Sequence, residues 1–438
     1  MTTTIRSQNA TLNVDAVRAD FPILTREVNG HPLTYLDSAN TSQMPAPVLD
    51  RMREHLRRHN ANAARSAHTL GNEATMAYEG ARAKVAAFVG ARTPDEVVFT
   101  KNSTEAINLV AHSFSASGAQ RTVDERFALH PGDEIVVSEM EHHSNLVPWQ
   151  LLCDRTGATL RWLPLTDEGR LDLSRLDELV NERTKLVSVV HMSNILGTVN
   201  PIAPIVARAR AVGALILLDA SQSVPHMPVD VTVLDADFVA FSGHKMCGPT
   251  GIGVLWGRSE LLELMPPFLG GGSMIDAVSM RHSTYARPPA RFEAGTPPIL
   301  SAVGLGAAVD YLSALGMPAV HRHEQDLTAY ALTALDKVPG MRVYGPKTTV
   351  DRGAVISFNV LGVDPVHLGG VLDSLGVQVR VGRHCAAPVC TRFGVTATTR
   401  ASFYLYTTAA EIDTLVDGLM LAQRRTPGDR GPRRVATR

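Results

Sequence analysis

Short runs of almost unbroken apolar residues recur along this 438-residue chain, and they constrain its fold more than any other feature. Glu134-Ile135-Val136-Val137-Ser138, Lys185 to Val190, Ala214 to Leu218 and Phe238 to Phe241 lack the polar alternation of a strand with one wet face. Each is too short for a buried helix, so each reads as a strand covered on both sides. Helical patterns such as Pro201 to Val212 lie between them. This alternation predicts an α/β fold with a mostly parallel sheet, its functional groups gathered at the carboxyl ends of the strands.

The length and the 45% hydrophobic content suffice for a large core. We expect a large domain over residues 35–310 and a smaller α+β domain over 311–423. An N-terminal segment, 1–34, should pack on the small domain, and the Arg-, Pro- and Gly-rich tail 424–438 should be disordered. Strands of the small domain are read at Ala354 to Phe358, Val377 to Arg380 and Ala401 to Tyr406, with Arg400 just before the last. Ser115 to Pro131 reads as a polar surface excursion. A net charge of -1 gives no basis for a nucleic-acid partner. No run approaches a membrane span or a signal peptide, and Cys153, Cys247, Cys385 and Cys390 are too dispersed for a disulfide framework. A cytoplasmic location is expected.

The chemistry lies at the strand ends. Leu215 to Leu218 runs into Asp219-Ala220-Ser221-Gln222, and Phe241 into Ser242-Gly243-His244-Lys245. Val97 to Thr100 leads through the turn Lys101-Asn102-Ser103-Thr104 into a helix from Glu105, with Asn102 and Glu105 resembling a capping box. Free N–H groups at that helix start, with the Ser103 and Thr104 hydroxyls, suit a phosphate. Taken singly, Lys245 could be a surface lysine and the helix an ordinary capped one. Together, amine, carboxylate and phosphate cradle point to pyridoxal phosphate: the amine condenses with its aldehyde, and the carboxylate keeps its pyridine nitrogen protonated.

Over residues 15 to 422 the chain resembles the group II, Suf-type cysteine desulfurases and selenocysteine lyases of the class V aminotransferase superfamily. The resemblance rests on Tyr35-Leu36-Asp37-Ser38, Thr104 to Val110, Glu141-His142-His143-Ser144-Asn145, Ser193 to Thr198, Ser242 to Lys245, Arg291 to Pro297 and Arg383-His384-Cys385. It implies a fold-type I transferase whose large domain has a mostly parallel seven-stranded sheet. It also implies that Lys245 carries the cofactor and moves the substrate Cα proton. Asp219 would meet the pyridine nitrogen, Gln222 the phenolic oxygen and His142 the ring face, where it would also shuttle a proton. Ser103, Thr104, Ser242 and His244 would hold the phosphate, with Thr296 from a second subunit of a homodimer. Arg400, Asn194 and Arg380 would bind the substrate.

In that family a protein thiolate attacks the sulfur of bound L-cysteine, leaving alanine and a persulfide, and Cys385 matches the position. Arg380, Arg383 and His384 are expected to place positive or donor groups beside it. The sulfur would then pass to an acceptor protein of unknown identity, for iron–sulfur assembly or a thiolation pathway. An aminotransferase, an epimerase or a C–S lyase of the same fold would leave Cys385 idle, and a sulfur-relay or scaffold protein would have lost the site. A metal site from His384, Cys385 and Cys390 lacks a fourth ligand. The chain departs from the family at Ala63-Ala64-Arg65-Ser66, at Asn40-Thr41, at Cys247 and at Tyr406-Thr407-Thr408.

Overall fold

The computed structural model describes residues 12–63, 67–117 and 124–424. A seven-stranded sheet forms its centre. The strands are β1 (Val97–Thr100), β2 (Glu134–Ser138), β3 (Thr159–Leu163), β4 (Thr184–Val190), β5 (Leu215–Asp219), β6 (Phe238–Ser242) and β7 (Gly253–Gly257). They lie in the order β1-β7-β6-β5-β4-β2-β3. Pairs from β6 to β3 are parallel, and β7 runs antiparallel between β1 and β6. Every residue of β1, β2, β5, β6 and β7 is buried, which is what their unbroken apolar runs require. Alternate side chains feed opposite faces: Ile216 and Leu218 join one apolar layer, Leu215 and Leu217 the other. Each such burial contributes about 1.5 to 3 kcal/mol.

A four-stranded antiparallel sheet follows. It contains β8 (Met341–Tyr344), β9 (Val355–Val360), β10 (Arg380–Gly382) and β11 (Thr398–Ser402), in the order β8-β9-β11-β10. The helices Met317–Leu335, Pro365–Ser374 and Ala409–Arg424 share its apolar core. Two expected strands are corrected here. Ala401 to Tyr406 is not a strand: β11 starts earlier, contains Arg400, and ends at Ser402, beyond which Phe403 to Tyr406 are buried in a turn closed by Thr407 N–H on Tyr404 O. Val377 to Arg380 is split, because Val377–Gln378 pairs in parallel with Thr34–Tyr35 while Arg380 opens β10 on a different partner.

The N-terminal segment does more than pack on the small domain. Val17 and Phe21 belong to the large core, and the Phe21 ring meets Tyr311 at 6.0 Å and Tyr406 at 4.8 Å. Arg18 pairs with Glu411 at 2.9 Å, and Asn29 donates to Asp373 O at 2.7 Å. The Ser115 to Pro131 excursion is pinned rather than superficial where it is described: Phe127 is fully buried, 5.2 Å from Phe114. Its residues 118–123, the tail from 425 and the Ala64–Ser66 departure lie outside the described residues. No single helix among the described residues is long and apolar enough to cross a membrane.

The Arg291 to Pro297 block is locked to the sheet through Glu293. Its carboxylate accepts from Arg82 at 2.7 and 2.9 Å, from Tyr78 Oη at 2.8 Å and from the Phe99 N–H at 2.7 Å. Arg82 is 2% exposed, and without Glu293 the only carboxylate it keeps is the solvent-facing Glu79, at 2.8 Å. Glu293→Ala should therefore destabilise the fold by about 3 kcal/mol, the low end for breaking a buried pair, read as a lower denaturant midpoint.

Candidate active site

The carboxyl ends of β5 and β6 open into one cavity of about 200 Å³. Its wall includes Ser103, Thr104, His142, Asn194, Asp219, Gln222, Ser242, His244, Lys245, Arg380 and Cys385, residues drawn from distant parts of the sequence. Thr296 is not among them: it lines a separate cavity with Lys101 and Phe268. Arg400 sits behind the wall, fully buried, with Nη1 on Asn194 O and Nη2 on Asp37 Oδ1, both at 2.9 Å.

The anion cradle forms at the helix Ser103–Ser117, which begins at Ser103 rather than at Glu105 as expected. Asn102 Oδ1 accepts from the Glu105 N–H at 3.0 Å, while the Glu105 carboxylate reaches back to the Lys101 N–H instead of completing the reciprocal box on Asn102. Ser242 Oγ accepts from the Ser103 N–H and bonds its hydroxyl, each at 2.9 Å, tying the helix start to the end of β6. Close approach demands a glycine in β7, since a Cβ on Gly253 would lie 2.4 Å from Asn102 Cα. Thr104 Oγ1 meets Ser144 Oγ at 2.6 Å, and His244 Nδ1 meets Thr41 Oγ1 at 3.2 Å. Burial, then the Lys245 charge, pushes His244 down to about 4, so it serves as a neutral ring.

The two adjacent histidines divide their work. His142 lines the cavity, and its Nδ1 accepts the Ser144 N–H at 3.1 Å, which leaves the ring proton on Nε2. Burial above all, then Lys245, holds it down to about 3. His143 instead accepts the Ala387 N–H on Nε2 at 3.2 Å, and its own N–H donates to Cys385 O at 2.7 Å. Beneath them Glu141, 1% exposed, accepts from Ser138 Oγ at 2.5 Å, Asn145 Nδ2 at 2.6 Å and the Val190 N–H at 2.8 Å. Burial raises its carboxyl to about 8.

Burial also governs Lys245, whose amine is pushed down to about 8; Asp219 opposes the shift, and the guanidiniums of Arg400 and Arg380 add to it. A neutral amine is the nucleophile, so capture of the cofactor by cofactor-free protein should rise with pH and level off above about 8. Stopped-flow absorbance on mixing with pyridoxal phosphate measures this. A plateau reached only near 10 would contradict it.

Cys385 lies on the short connection between β10 and the helix Ala387–Arg392. His384 and Cys385 both adopt left-handed backbone, at φ +50° and +55°. The expected trio of groups beside the sulfur is corrected: Arg380 Nη2 reaches Sγ at 3.6 Å, but Arg383 turns to Thr396 O. His384 points away, its Nε2 2.9 Å from Thr398 Oγ1, and burial holds it neutral, down to about 3. Among the described residues no cluster of His, Cys, Asp or Glu could hold a metal ion.

Pyridoxal phosphate fits what is present. Gln222 Oε1, Ser221 Oγ and Asn194 Oδ1 are buried on the cavity wall without partners. Such groups cost about 1 to 3 kcal/mol each unless something fills their bonds. Amine, carboxylate, histidine and helix-start cradle line this one cavity, the set of groups that cofactor would need.

Comparison with known proteins bears on the same question. The family described as aminotransferase class-V matches residues 34–415. The chain is 60% identical over 409 residues to a probable cysteine desulfurase of Streptomyces coelicolor, covering 93% of this chain and 96% of the relative. It belongs to the class V aminotransferase family, among the cysteine desulfurases. Over 407 residues it is 52% identical to a cysteine desulfurase of Dickeya dadantii, covering 93% of the chain and 96% of the relative. The apo structure of a cysteine desulfurase from Thermococcus onnurineus superposes with a TM-score of 0.88 at 38% identity, covering 95% of this chain and 99% of that one. Family members depend on pyridoxal phosphate, which suits the groups on this cavity's wall.

Sequence reasoning missed three contributors. Asp37, which pairs with Arg400, stood in a recognised block without a role, and Glu141 and Ser144 stood likewise in the block that carries His142, where Ser144 meets Thr104.

Proposed function

We propose that this chain is a cysteine desulfurase that takes sulfur from L-cysteine, gives L-alanine and leaves a persulfide on Cys385. The observation that carries the reading is Cys385 and Lys245 on the wall of one cavity. When bound, pyridoxal phosphate supplies an aldehyde for the amine and an electron-accepting ring for the substrate carbon. Asp219 and Gln222 orient it, Ser103, Thr104, Ser242 and His244 hold its phosphate, and His142 covers its face. The buried, unpartnered Nε–H of Arg400 offers a donor to the substrate carboxylate, with Asn194 beside it. The Lys245 amine takes the Cα proton. The Cys385 sulfur bonds to the substrate sulfur, and the C–S bond breaks with its electron pair left on the substrate. The proton given up by the Cys385 thiol passes by way of His142 to that carbon, and Lys245 returns its proton to Cα, so L-cysteine and a thiol become alanine and a persulfide.

The finer assignment is to the group II, Suf-type branch, supported by the short anchored Cys385 connection. A homodimer is supported by Thr296, which lies off its own chain's cavity and is free to serve a second one. A protein acceptor would collect the sulfur in a reducing, cytoplasmic setting, and slow selenocysteine turnover would accompany the main reaction. Incubation with L-cysteine should yield alanine and, by mass spectrometry, one added sulfur on Cys385. Pyruvate and ammonia in place of alanine would make the chain a lyase instead.

A further inference from the structure

The β10–β11 pairing sets Arg380 opposite Arg400, two guanidiniums on neighbouring strands. Like charges so placed repel unless something separates and satisfies them. Arg400 has Asp37, whose Oδ1 it meets at 2.9 Å. No carboxylate pairs with Arg380 among the described residues. Its Nη1 instead donates to Asn40 Oδ1 at 2.6 Å, and Asn40 Nδ2 donates to Asp37 Oδ2 at 3.1 Å. The other end of the same guanidinium lies on the Cys385 sulfur.

We propose that Asn40 is a positioning residue, joining the arginine that binds the substrate carboxylate to the arginine that holds the nucleophilic sulfur. An amide suits the task because Arg380 needs an acceptor and Asp37 needs a donor, and one amide side chain offers both. Asn40 lies on the cavity wall, so the link runs along the substrate's path. With it, one carboxylate serves two cations: Asp37 neutralises Arg400 directly and steadies Arg380 through Asn40. Without it, the Arg380 guanidinium loses its anchor and swings from the sulfur.

The inference rests on the proposed role of Cys385, so the test carries a control for that role. In the holoenzyme, Asn40→Ala should lower kcat for alanine formation by about tenfold while KM moves less than about twofold, the loss expected for one charge-assisted bond. Asn40→Asp keeps the acceptor for Arg380 but opposes Asp37, so it should restore most of kcat and raise KM. The double variant Asn40→Ala with Arg380→Ala should be no slower than Arg380→Ala alone, because both act on one element. A kcat for Asn40→Ala within about twofold of the parent, or losses that multiply in the double variant, would overturn the inference. Cys385→Ala is assayed in parallel. Alanine formation that survives it sinks the nucleophile and Asn40 together, whereas an inactive Cys385→Ala beside an unaffected Asn40→Ala sinks Asn40 alone.

Discussion

Cys385→Ala should lower alanine formation from L-cysteine by about 10³-fold or more, the scale on which losing a nucleophile acts. The loop should keep its shape, because it is held by backbone groups: Cys385 O accepts from the His143 N–H, and His384 O from Asn194 Nδ2. The cofactor's groups are likewise untouched, so its absorbance and its response to added L-cysteine should persist. A variant that still releases alanine at the parent rate would show that the sulfur goes elsewhere.

Lys245→Ala should be as damaging for a different reason. It would remove both proposed roles of that amine, cofactor anchor and base for the Cα proton, and general base catalysis alone is worth about 10² to 10⁴. Binding of the cofactor should weaken without vanishing, since Asp219, Ser103, Ser242 and His244 remain on the wall. Borohydride reduction distinguishes the roles: it should fix the cofactor covalently to the parent and not to the variant. Covalent label on the variant would place the attachment on another lysine.

The sheet was legible because strands buried on both faces must be apolar throughout, and β2, β4, β5 and β6 fall within a residue or so of the runs read from the sequence. Edges were harder. The Ala401 to Tyr406 run is apolar for tertiary reasons, since Tyr404 and Tyr406 fill the core beside Phe21 from a turn. Val377 to Arg380 reads continuously, yet its halves answer to different neighbours. At the site, residues that follow strand ends announced themselves, and Lys245, Asp219 and His142 stand together. Which charged neighbour of Cys385 faces its sulfur depended on side-chain direction in a left-handed loop, and spacing carries no information on that. Asp37 was hidden because its partner lies 363 residues away.

The successive left-handed residues His384 and Cys385 bear on how the sulfur leaves. That geometry costs roughly 1 to 2 kcal/mol for each residue with a side chain. Opposing it, the bonds from His143 and Asn194 to the two carbonyls return about 0.5 to 1.5 kcal/mol apiece. These sums nearly cancel. Outward travel of a sulfur-loaded Cys385 would therefore relieve torsion while it broke these bonds, a shallow gradient for such a movement.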